Sequence, residues 1–247
     1  MSAAHGVCLL ADGMGGRDFG EVASSLCVST LNKCFKKYLP KSLKGLKLAD
    51  GPTDAPLIAT IFKPLVDTWI RDVNGMCWDF GTIDHKYREM GTTVALLYQA
   101  EDYIVVAHVG DSRVYRIRGD EIVQLTDDHS FVNSQLKANL ITPEEAAMSS
   151  YKNIITRAIG TRSTVKAEVA VHPCAIGDLY VLCSDGLSDQ VEDPEILATL
   201  DEQERDLESG VDALIDLANL RGGPDNITVI LARVDAAEAA GAGTEAA

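Results

Sequence analysis

Short apolar runs that end at turns predict eight β-strands. The runs are residues 6–11, 92–98, 103–109, 113–117, 122–125, 167–171, 179–183 and 227–234. Their length and their content of valine, isoleucine, leucine and tyrosine are typical of strands with buried faces. Turns at Gly110-Asp111-Ser112 and Gly119-Asp120 join three neighbouring runs. Residues 92–125 are therefore predicted to form an antiparallel meander.

Apolar residues at helical spacing predict the helices. They are residues 21–38, residues 57–73, a short helix that starts at Thr142-Pro143, and two helices between residues 194 and 220. Residues 40–56 are punctuated by proline and glycine, which predicts a loop. Pro64 lies inside the second helix and is predicted to bend or split it. Helices combined with many antiparallel strands predict an α+β fold, a four-layer α-β-β-α sandwich in which helices flank two mostly antiparallel sheets.

The composition is that of one globular domain without a membrane span. Hydrophobic residues make up 46% and charged residues 24% of the 247 positions, and no apolar stretch reaches the roughly 20 residues that a membrane helix needs. We expect one catalytic domain, residues 1–235, followed by a disordered Ala/Gly-rich tail, residues 236–247. The first residues lack the pattern of a secretory signal, so we expect a cytoplasmic protein. We also expect a monomer.

Charge and cysteine content narrow the classes of partner. The formal net charge of −15 disfavours nucleic acid and anionic membranes as partners. An acidic chain also needs help to bind an anionic substrate, and a bound divalent cation would supply that help. The six cysteines form no C-x-x-C pair, which favours buried free thiols over a zinc site or a disulfide framework.

Four aspartates share one setting, because each lies where an apolar strand meets a turn. They are Asp12, Asp111, Asp185 and Asp225. A carboxylate at a buried strand end is costly unless it is paired or binds a cation. Oxygen ligands without histidine or cysteine favour Mg²⁺ or Mn²⁺. Two such ions could share one aspartate, bind phosphate and activate a water.

Each of these aspartates taken alone also fits an ordinary turn residue. Asp-Gly is a common turn signal, and a turn aspartate can bond its own backbone. For Asp111 or Asp225 alone, the turn interpretation is favoured. The metal hypothesis therefore depends on the recurrence of the pattern.

Motifs along most of the chain carry a family resemblance. The matching segments are residues 11–16, 20–24, 91–93, 108–113, 125–130, 141–146, 156–160, 183–187 and 223–228. In order and spacing they resemble the metal-dependent serine/threonine protein phosphatases of the phosphatase 2C type, in particular the bacterial branch. The resemblance runs from about residue 6 to residue 234.

The resemblance implies a role for each matching residue. Asp12 would bridge two Mn²⁺ or Mg²⁺ ions, the backbone carbonyl of Gly13 would be a further ligand, and Asp185 and Asp225 would complete the core. Asp111 would share a third, more weakly bound ion with Asp185. Residues 130–155 would form a flap beside the active site where substrate selection occurs. His129 also matches a family position, but we favour a structural hydrogen-bonding role for it.

One part of the family pattern has no match. Family members carry a strand before the segment that matches residues 6–12, with an arginine that contacts the substrate phosphate and an acidic motif near the metals. The chain as given places eleven residues before Asp12, and none matches that arginine. We expect a shortened start, a strand supplied by another chain or a degenerate relative, and favour the first.

The first hypothesis is a metal-dependent phosphoprotein phosphatase that hydrolyses phosphoserine and phosphothreonine with a metal-activated water. Asp12, Asp185 and Asp225 would be its catalytic residues, and its partners would be phosphorylated proteins and a cognate kinase. The alternative is a catalytically weak or inactive domain that binds phosphoproteins or regulates a partner. The unmatched arginine is the main support for that alternative.

Overall fold

Two four-stranded antiparallel sheets form the centre of the fold. The computed structural model describes residues 6–14, 19–44 and 55–235. In spatial order, the first sheet consists of β1 (Val7–Leu10), β4 (Val94–Ala100), β5 (Tyr103–Val109) and β8 (Glu168–Pro173), and the second of β10 (Val229–Arg233), β9 (Leu179–Cys183), β6 (Arg113–Arg118) and β7 (Glu121–Gln124). A small ladder pairs β2 (Gly13–Met14) with β3 (Gly91–Thr92).

Seven α-helices accompany the strands in the described part of the chain. They are α1 (Gly20–Lys44), α2 (Ala55–Ile83), α3 (Phe131–Lys137), α4 (Pro143–Ala147), α5 (Asp185–Ser188), α6 (Asp193–Glu202) and α7 (Leu207–Leu220). The predicted start of α4 is present: the Thr142 hydroxyl accepts a hydrogen bond from Glu145 N, and the Glu145 carboxylate accepts one from Thr142 N. This reciprocal capping satisfies backbone donors that the first turn leaves free.

Three apolar layers stack through the molecule and confirm the predicted four-layer sandwich. Between α1, α2 and the first sheet, the Tyr98 ring lies 5.7 Å from Phe35 and 5.1 Å from Phe62, centroid to centroid. Residues such as Leu97 and Leu182 fill the space between the sheets. The third layer joins the second sheet to α5, α6 and α7. Each sheet is therefore covered on both faces, as its continuous apolar strands require.

The predicted meander over residues 92–125 is wrong at one turn. Strands β4 and β5 pair with each other, as do β6 and β7, but β5 and β6 lie in different sheets. The chain changes sheet at residues 110–112, where Gly110 has a φ of +106°. A glycine turn permits either a hairpin or a crossing. The chain crosses to the second sheet here because β5 and β6 are both largely buried and each needs apolar cover on two sides.

The first two helices, α1 and α2, are longer than predicted. Helix α1 continues to Lys44, past the predicted loop start at residue 40, and α2 runs without a break through Pro64. Buried residues at helical spacing, among them Phe62, Val66 and Ile70, hold α2 together because tertiary packing outweighs one lost backbone hydrogen bond. No helix in the described residues has both the length and the hydrophobicity to cross a membrane. The predicted tail, residues 236–247, lies outside the described residues.

Candidate metal centre

The four aspartates lie at one edge of the sandwich. Asp12 follows β1 and Asp111 follows β5, and these strands run in the same direction because both pair antiparallel with β4. In the second sheet, Arg113 and Val229 both lie opposite Cys183. The first residues of β6 and β10 therefore lie beside the last residue of β9. Asp185 follows that end of β9. Strand direction therefore brings all four residues to the same rim.

Two adjacent threonines hold the backbone of Asp12. Asp12 N donates to Thr93 Oγ1 at 3.0 Å, and Thr93 N donates to the Asp12 carbonyl at 2.8 Å. The Thr92 hydroxyl donates to the same carbonyl at 2.8 Å. Both threonines are buried. The peptide groups on either side of Asp12 are therefore anchored to the segment between β3 and β4.

The same segment anchors the loop that carries Asp111. The hydroxyls of Thr93 and Ser112 lie 2.7 Å apart and share a hydrogen bond. A Cβ added to Gly110 would lie 2.6 Å from the Thr93 Cγ2 atom, so only glycine fits this approach and this positive φ. Asp111 is 8% exposed. Thr93 thus connects the two loops that carry the aspartates of the first sheet.

A second set of contacts joins the loops that carry Asp185 and Asp225. The Ser184 hydroxyl donates to the Asn226 carbonyl at 3.1 Å and accepts from Thr228 N at 3.1 Å. A Cβ on Gly186 would lie 2.4 Å from the Asn226 carbonyl oxygen. The residues on either side of Asp185 therefore touch the residue after Asp225.

The electrostatics of this rim disfavour a full set of charged carboxylates. Burial, and next the neighbouring Asp185 carboxylate, raise the pKa of Asp12 to about 7, with Asp225 and Asp111 adding to the effect. Burial and Asp185 likewise raise the pKa of Asp111 to about 7. The pKa of Asp185 is raised by its own burial, with Asp225 contributing. The Asp12 and Asp111 carboxylates thus sit in the field of Asp185, an arrangement that a bound cation would stabilise. Asp225 is exposed, and its Oδ1 atom accepts a hydrogen bond from Asn226 N at 2.7 Å, as in an ordinary aspartate turn.

The residues present fit a divalent metal. The buried Asp185 Oδ1 atom has no hydrogen-bond partner, although a buried carboxylate oxygen normally has one. The donors gathered here are carboxylates, the hard oxygen ligands that Mg²⁺ and Mn²⁺ prefer. No three of the four aspartates have carboxylate oxygens that all lie within 4.8 Å of one another. As these side chains stand in the structure, no single ion could take three of the four carboxylates as ligands.

Gly13 lies against the first residue of α1. A Cβ on Gly20 would lie 2.6 Å from both the carbonyl carbon and the carbonyl oxygen of Gly13, and a Cβ on Gly13 would lie 2.1 Å from the Gly20 oxygen. Backbone therefore meets backbone at this point. The position of the predicted carbonyl ligand depends on the absence of a side chain at residue 20.

Gly20→Ala is expected to weaken Mn²⁺ binding by about 10- to 100-fold, because the new methyl group must displace the Gly13 carbonyl. Isothermal titration of the purified protein with Mn²⁺ would measure the loss. Gly75→Ala is the matched control, since a Cβ there meets no atom within 4 Å in the middle of α2. The control should bind Mn²⁺ normally and gain up to about 1 kcal/mol of stability. Unchanged binding by Gly20→Ala would contradict the ligand role of Gly13.

A cavity of about 540 Å³ opens beside the aspartates. Asp111 and Asp185 form part of its wall, and residues from the predicted flap, 130–155, form another part. Arg113 donates to both carboxylate oxygens of Asp128 at 2.7–3.2 Å. The cavity is large enough for a phosphorylated side chain, and it borders the candidate metal ligands directly.

Sequence reasoning missed a histidine cluster behind the Asp111 loop. The rings of His108 and His129 are stacked with centroids 4.6 Å apart. With Glu168 they form a group whose potential ligand atoms lie within 4.8 Å of one another. The Arg157 Nη1 atom lies 2.7 Å from His129 Nε2 and 3.3 Å from the Glu168 carboxylate. A cationic side chain thus already occupies this group, which is polar packing and not a vacant metal site.

Comparisons with known proteins agree on one family. The family model "Protein phosphatase 2C" matches residues 2–216. A putative protein phosphatase 2C-type of Streptococcus pyogenes serotype M6 is 37% identical over 223 residues, which cover 90% of this chain and 83% of that protein.

Solved structures agree with the sequence comparisons. The S. agalactiae serine/threonine phosphatase has a TM-score of 0.77 at 37% identity, with 93% of this chain and 87% of that chain covered. The catalytic domain of the serine/threonine protein phosphatase PstP in complex with 2 manganese ions has a TM-score of 0.74 at 33% identity, with 93% and 88% covered.

Proposed function

This chain belongs to the protein phosphatase 2C family, and from that premise we propose that it hydrolyses phosphoserine and phosphothreonine esters of proteins in a metal-dependent reaction. The observation that carries the proposal is the convergence of four aspartates on one rim, where the Asp185 Oδ1 atom is buried without a partner. Relatives named as serine/threonine phosphatases support the substrate class.

We propose distinct roles for the aspartates. Asp12, Asp185 and Asp225, with the Gly13 carbonyl, would hold two Mn²⁺ or Mg²⁺ ions. Asp111, together with Asp185, would hold a third ion more weakly. When bound, the ions would neutralise the charge of the phosphate and supply an activated water.

The side chains near the rim support direct attack by water. Ser112 and Ser184 are the serines next to candidate ligands, and both hydroxyls are committed to hydrogen bonds: Ser112 to Thr93, and Ser184 to Asn226 and Thr228. A serine nucleophile also needs a base that accepts its proton, and the hydrogen-bond partners of these two serines are hydroxyl or backbone groups. We propose that water attacks phosphorus directly, without a covalent intermediate. Thr92 and Thr93 orient Asp12, and Ser184 orients the loops of Asp185 and Asp225.

The partners follow from the chemistry. We propose that proteins phosphorylated on serine or threonine are the substrates, and that a serine/threonine kinase acts on the same proteins. Residues 1–235 would act as one catalytic domain and as a monomer. The aspartates supplied by both sheets support this arrangement, because neither sheet alone holds the complete ligand set.

The purified chain is expected to release inorganic phosphate from a phosphothreonine peptide when Mn²⁺ is present, and to stop when EDTA is added. A phosphate-release assay over a range of Mn²⁺ concentrations measures this dependence. The unphosphorylated peptide and a no-enzyme reaction serve as controls. Phosphate release that persists with excess chelator would contradict the metal-dependent mechanism. Mn²⁺ binding without phosphate release would favour the phosphoprotein-binding alternative.

A further inference from the structure

Gly110, the residue before Asp111, is hydrogen-bonded to His129 through both of its backbone groups, once by the imidazole ring and once by the His129 backbone. Gly110 N donates to His129 Nδ1 at 3.0 Å, and His129 N donates to the Gly110 carbonyl at 3.0 Å. Gly110 carries the positive φ at the crossing between the sheets. Its orientation therefore determines where the Asp111 carboxylate lies. His129 is nineteen residues away in sequence and only 5% exposed.

These contacts define the tautomer of the His129 ring. Because Nδ1 accepts the Gly110 N–H, the ring proton is on Nε2, which lies 3.1 Å from the Glu168 carboxylate. The opposite tautomer would set two N–H groups face to face at Gly110 and leave a buried donor unsatisfied. Burial lowers the pKa of His129 to about 4, with His108 and Arg157 adding to the effect. The imidazole is therefore neutral near pH 7.

The arginine beside the ring has other acceptors. Arg157 Nη1 is 2.7 Å from His129 Nε2, but it also donates to the Lys166 carbonyl at 3.2 Å and to Glu168 at 3.3 Å. The tautomer that keeps the Gly110 hydrogen bond brings the Nε2 proton close to Arg157 Nη1, so Arg157 must direct its hydrogens to the Lys166 carbonyl and to Glu168. Gly110 N has the His129 Nδ1 atom as its acceptor, which favours the tautomer protonated on Nε2.

His129 is itself held from several sides. Its ring stacks on His108, and its carbonyl accepts from Thr156 N at 2.7 Å and from the Thr156 hydroxyl at 2.9 Å. The next residue, Ser130, caps α3. A side chain fixed in this way can transmit its position to Gly110, since neither the ring nor its backbone is free to move.

We propose that His129 is a positioning residue of the metal centre, which through its Nδ1 atom holds Gly110 and so orients the Asp111 carboxylate toward its cation. The inference rests on the proposed function, because it assumes that Asp111 is a metal ligand. Residues that hold metal ligands in place commonly change metal affinity by about 10- to 100-fold when they are replaced. The effect should be largest at the weakest of the bound ions, the one assigned to Asp111.

Two substitutions of His129 test the roles of its two ring nitrogens separately. His129→Asn places an amide oxygen near the position of Nδ1 and can still accept the Gly110 N–H, whereas His129→Gln reaches toward Glu168 and loses that acceptor. Mn²⁺ titration should show that His129→Gln weakens the weakest site by about tenfold or more. His129→Asn should stay within about threefold of the wild type because the hydrogen bond is retained. His172→Gln in β8, at the far end of the pairing with β5, controls for the exchange itself.

A measurement on the wild-type protein does not depend on how the variants fold. Nitrogen-15 NMR of the histidine rings should show His129 protonated on Nε2 and unprotonated on Nδ1. A proton on Nδ1 would overturn the inference.

The titration separates the possible failures. Equal loss of the weakest Mn²⁺ site in His129→Asn and His129→Gln, or no loss in either, would overturn the role of His129 and leave the proposed function intact. A wild-type protein that binds no Mn²⁺ would overturn both. The expected pattern, in which only His129→Gln weakens the weakest Mn²⁺ site, supports the inference.

Discussion

Asp185→Asn is expected to lower the kcat of Mn²⁺-supported phosphate release by about 10³-fold or more, a loss typical of removing a central electrostatic group. Asp185 is the carboxylate that the other candidate ligands share as a neighbour, since it acts on both Asp12 and Asp111. An amide is a weaker metal ligand than a carboxylate and carries no charge to balance the ions. Steady-state kinetics on a phosphothreonine peptide measures the effect.

Asp120→Asn is the matched control for this prediction. Asp120 also follows a glycine in a tight turn, but it lies exposed between β6 and β7. The control should retain wild-type kcat and Mn²⁺ dependence, because its carboxylate faces solvent far from the rim. Asp185→Asn activity within tenfold of the control would rule out a ligand role for Asp185.

Asp12→Asn is expected to make the metal-free protein more stable and to remove its stabilisation by Mn²⁺. In the wild type, Mn²⁺ at a hundred times its Kd should raise the Tm by about 5–10 °C. In the variant, the shift should vanish because the bridging ligand is lost. The metal-free variant should melt a few degrees higher, about 2–4 °C, because one of several crowded charges is gone. Differential scanning calorimetry with EDTA and with Mn²⁺ measures both effects.

The Tm of the metal-free protein should also change with pH, in the direction that the raised pKa of Asp12 determines. Burial and the Asp185 carboxylate raise the pKa of Asp12 from 3.8 to about 7 in the folded state. A carboxyl with a raised pKa stabilises the fold fully below its unfolded value, and that stability is lost as the pH rises through about 7. The Tm should thus fall less between pH 5 and pH 8 in Asp12→Asn than in the wild type. An equal fall in Tm in the wild type and in Asp12→Asn would show that the charge of Asp12 does not destabilise the metal-free fold.

Much of the fold was predictable because the relevant signals are local. The strand over residues 179–183 ends at Ser184-Asp185, and β9 has those bounds in the structure. The cap at Thr142 and the glycines after α7 likewise depend on neighbouring residues alone. The layers followed from the combination of helical and strand periods, because every strand with two apolar faces requires cover on both sides.

The incorrect predictions share a physical cause, which is that tertiary contacts decided them. Of the two effects predicted for Pro64, a bend or a split, the split is contradicted: α2 passes through Pro64 unbroken, although a proline in a helix costs about 3 kcal/mol in isolation, because its apolar face packs on the first sheet. The turn at residues 110–112 has the sequence of a hairpin, but β5 and β6 find their partners in different sheets. Which strands pair with each other depends on the complete set of strands and not on any local pattern.

The candidate site was only partly accessible from the sequence. The aspartates could be found because each marks a strand end, and four strand ends were visible. The pairing of His129 with Gly110 could not be found in this way, because it depends on how residues 126–129 return beneath the crossing between the sheets. The nearest available signal was the position of His108 and His129 beside two turns that both contain aspartate.

The most direct test of the metal centre is equilibrium dialysis of the wild-type chain against Mn²⁺, followed by metal analysis of the protein. Two ions per chain should be retained tightly and a third more weakly, and Asp12→Asn should lose the tight pair. A wild-type chain that retains no Mn²⁺, or an Asp12→Asn variant that retains as much as the wild type, would contradict the assignment of these aspartates as metal ligands.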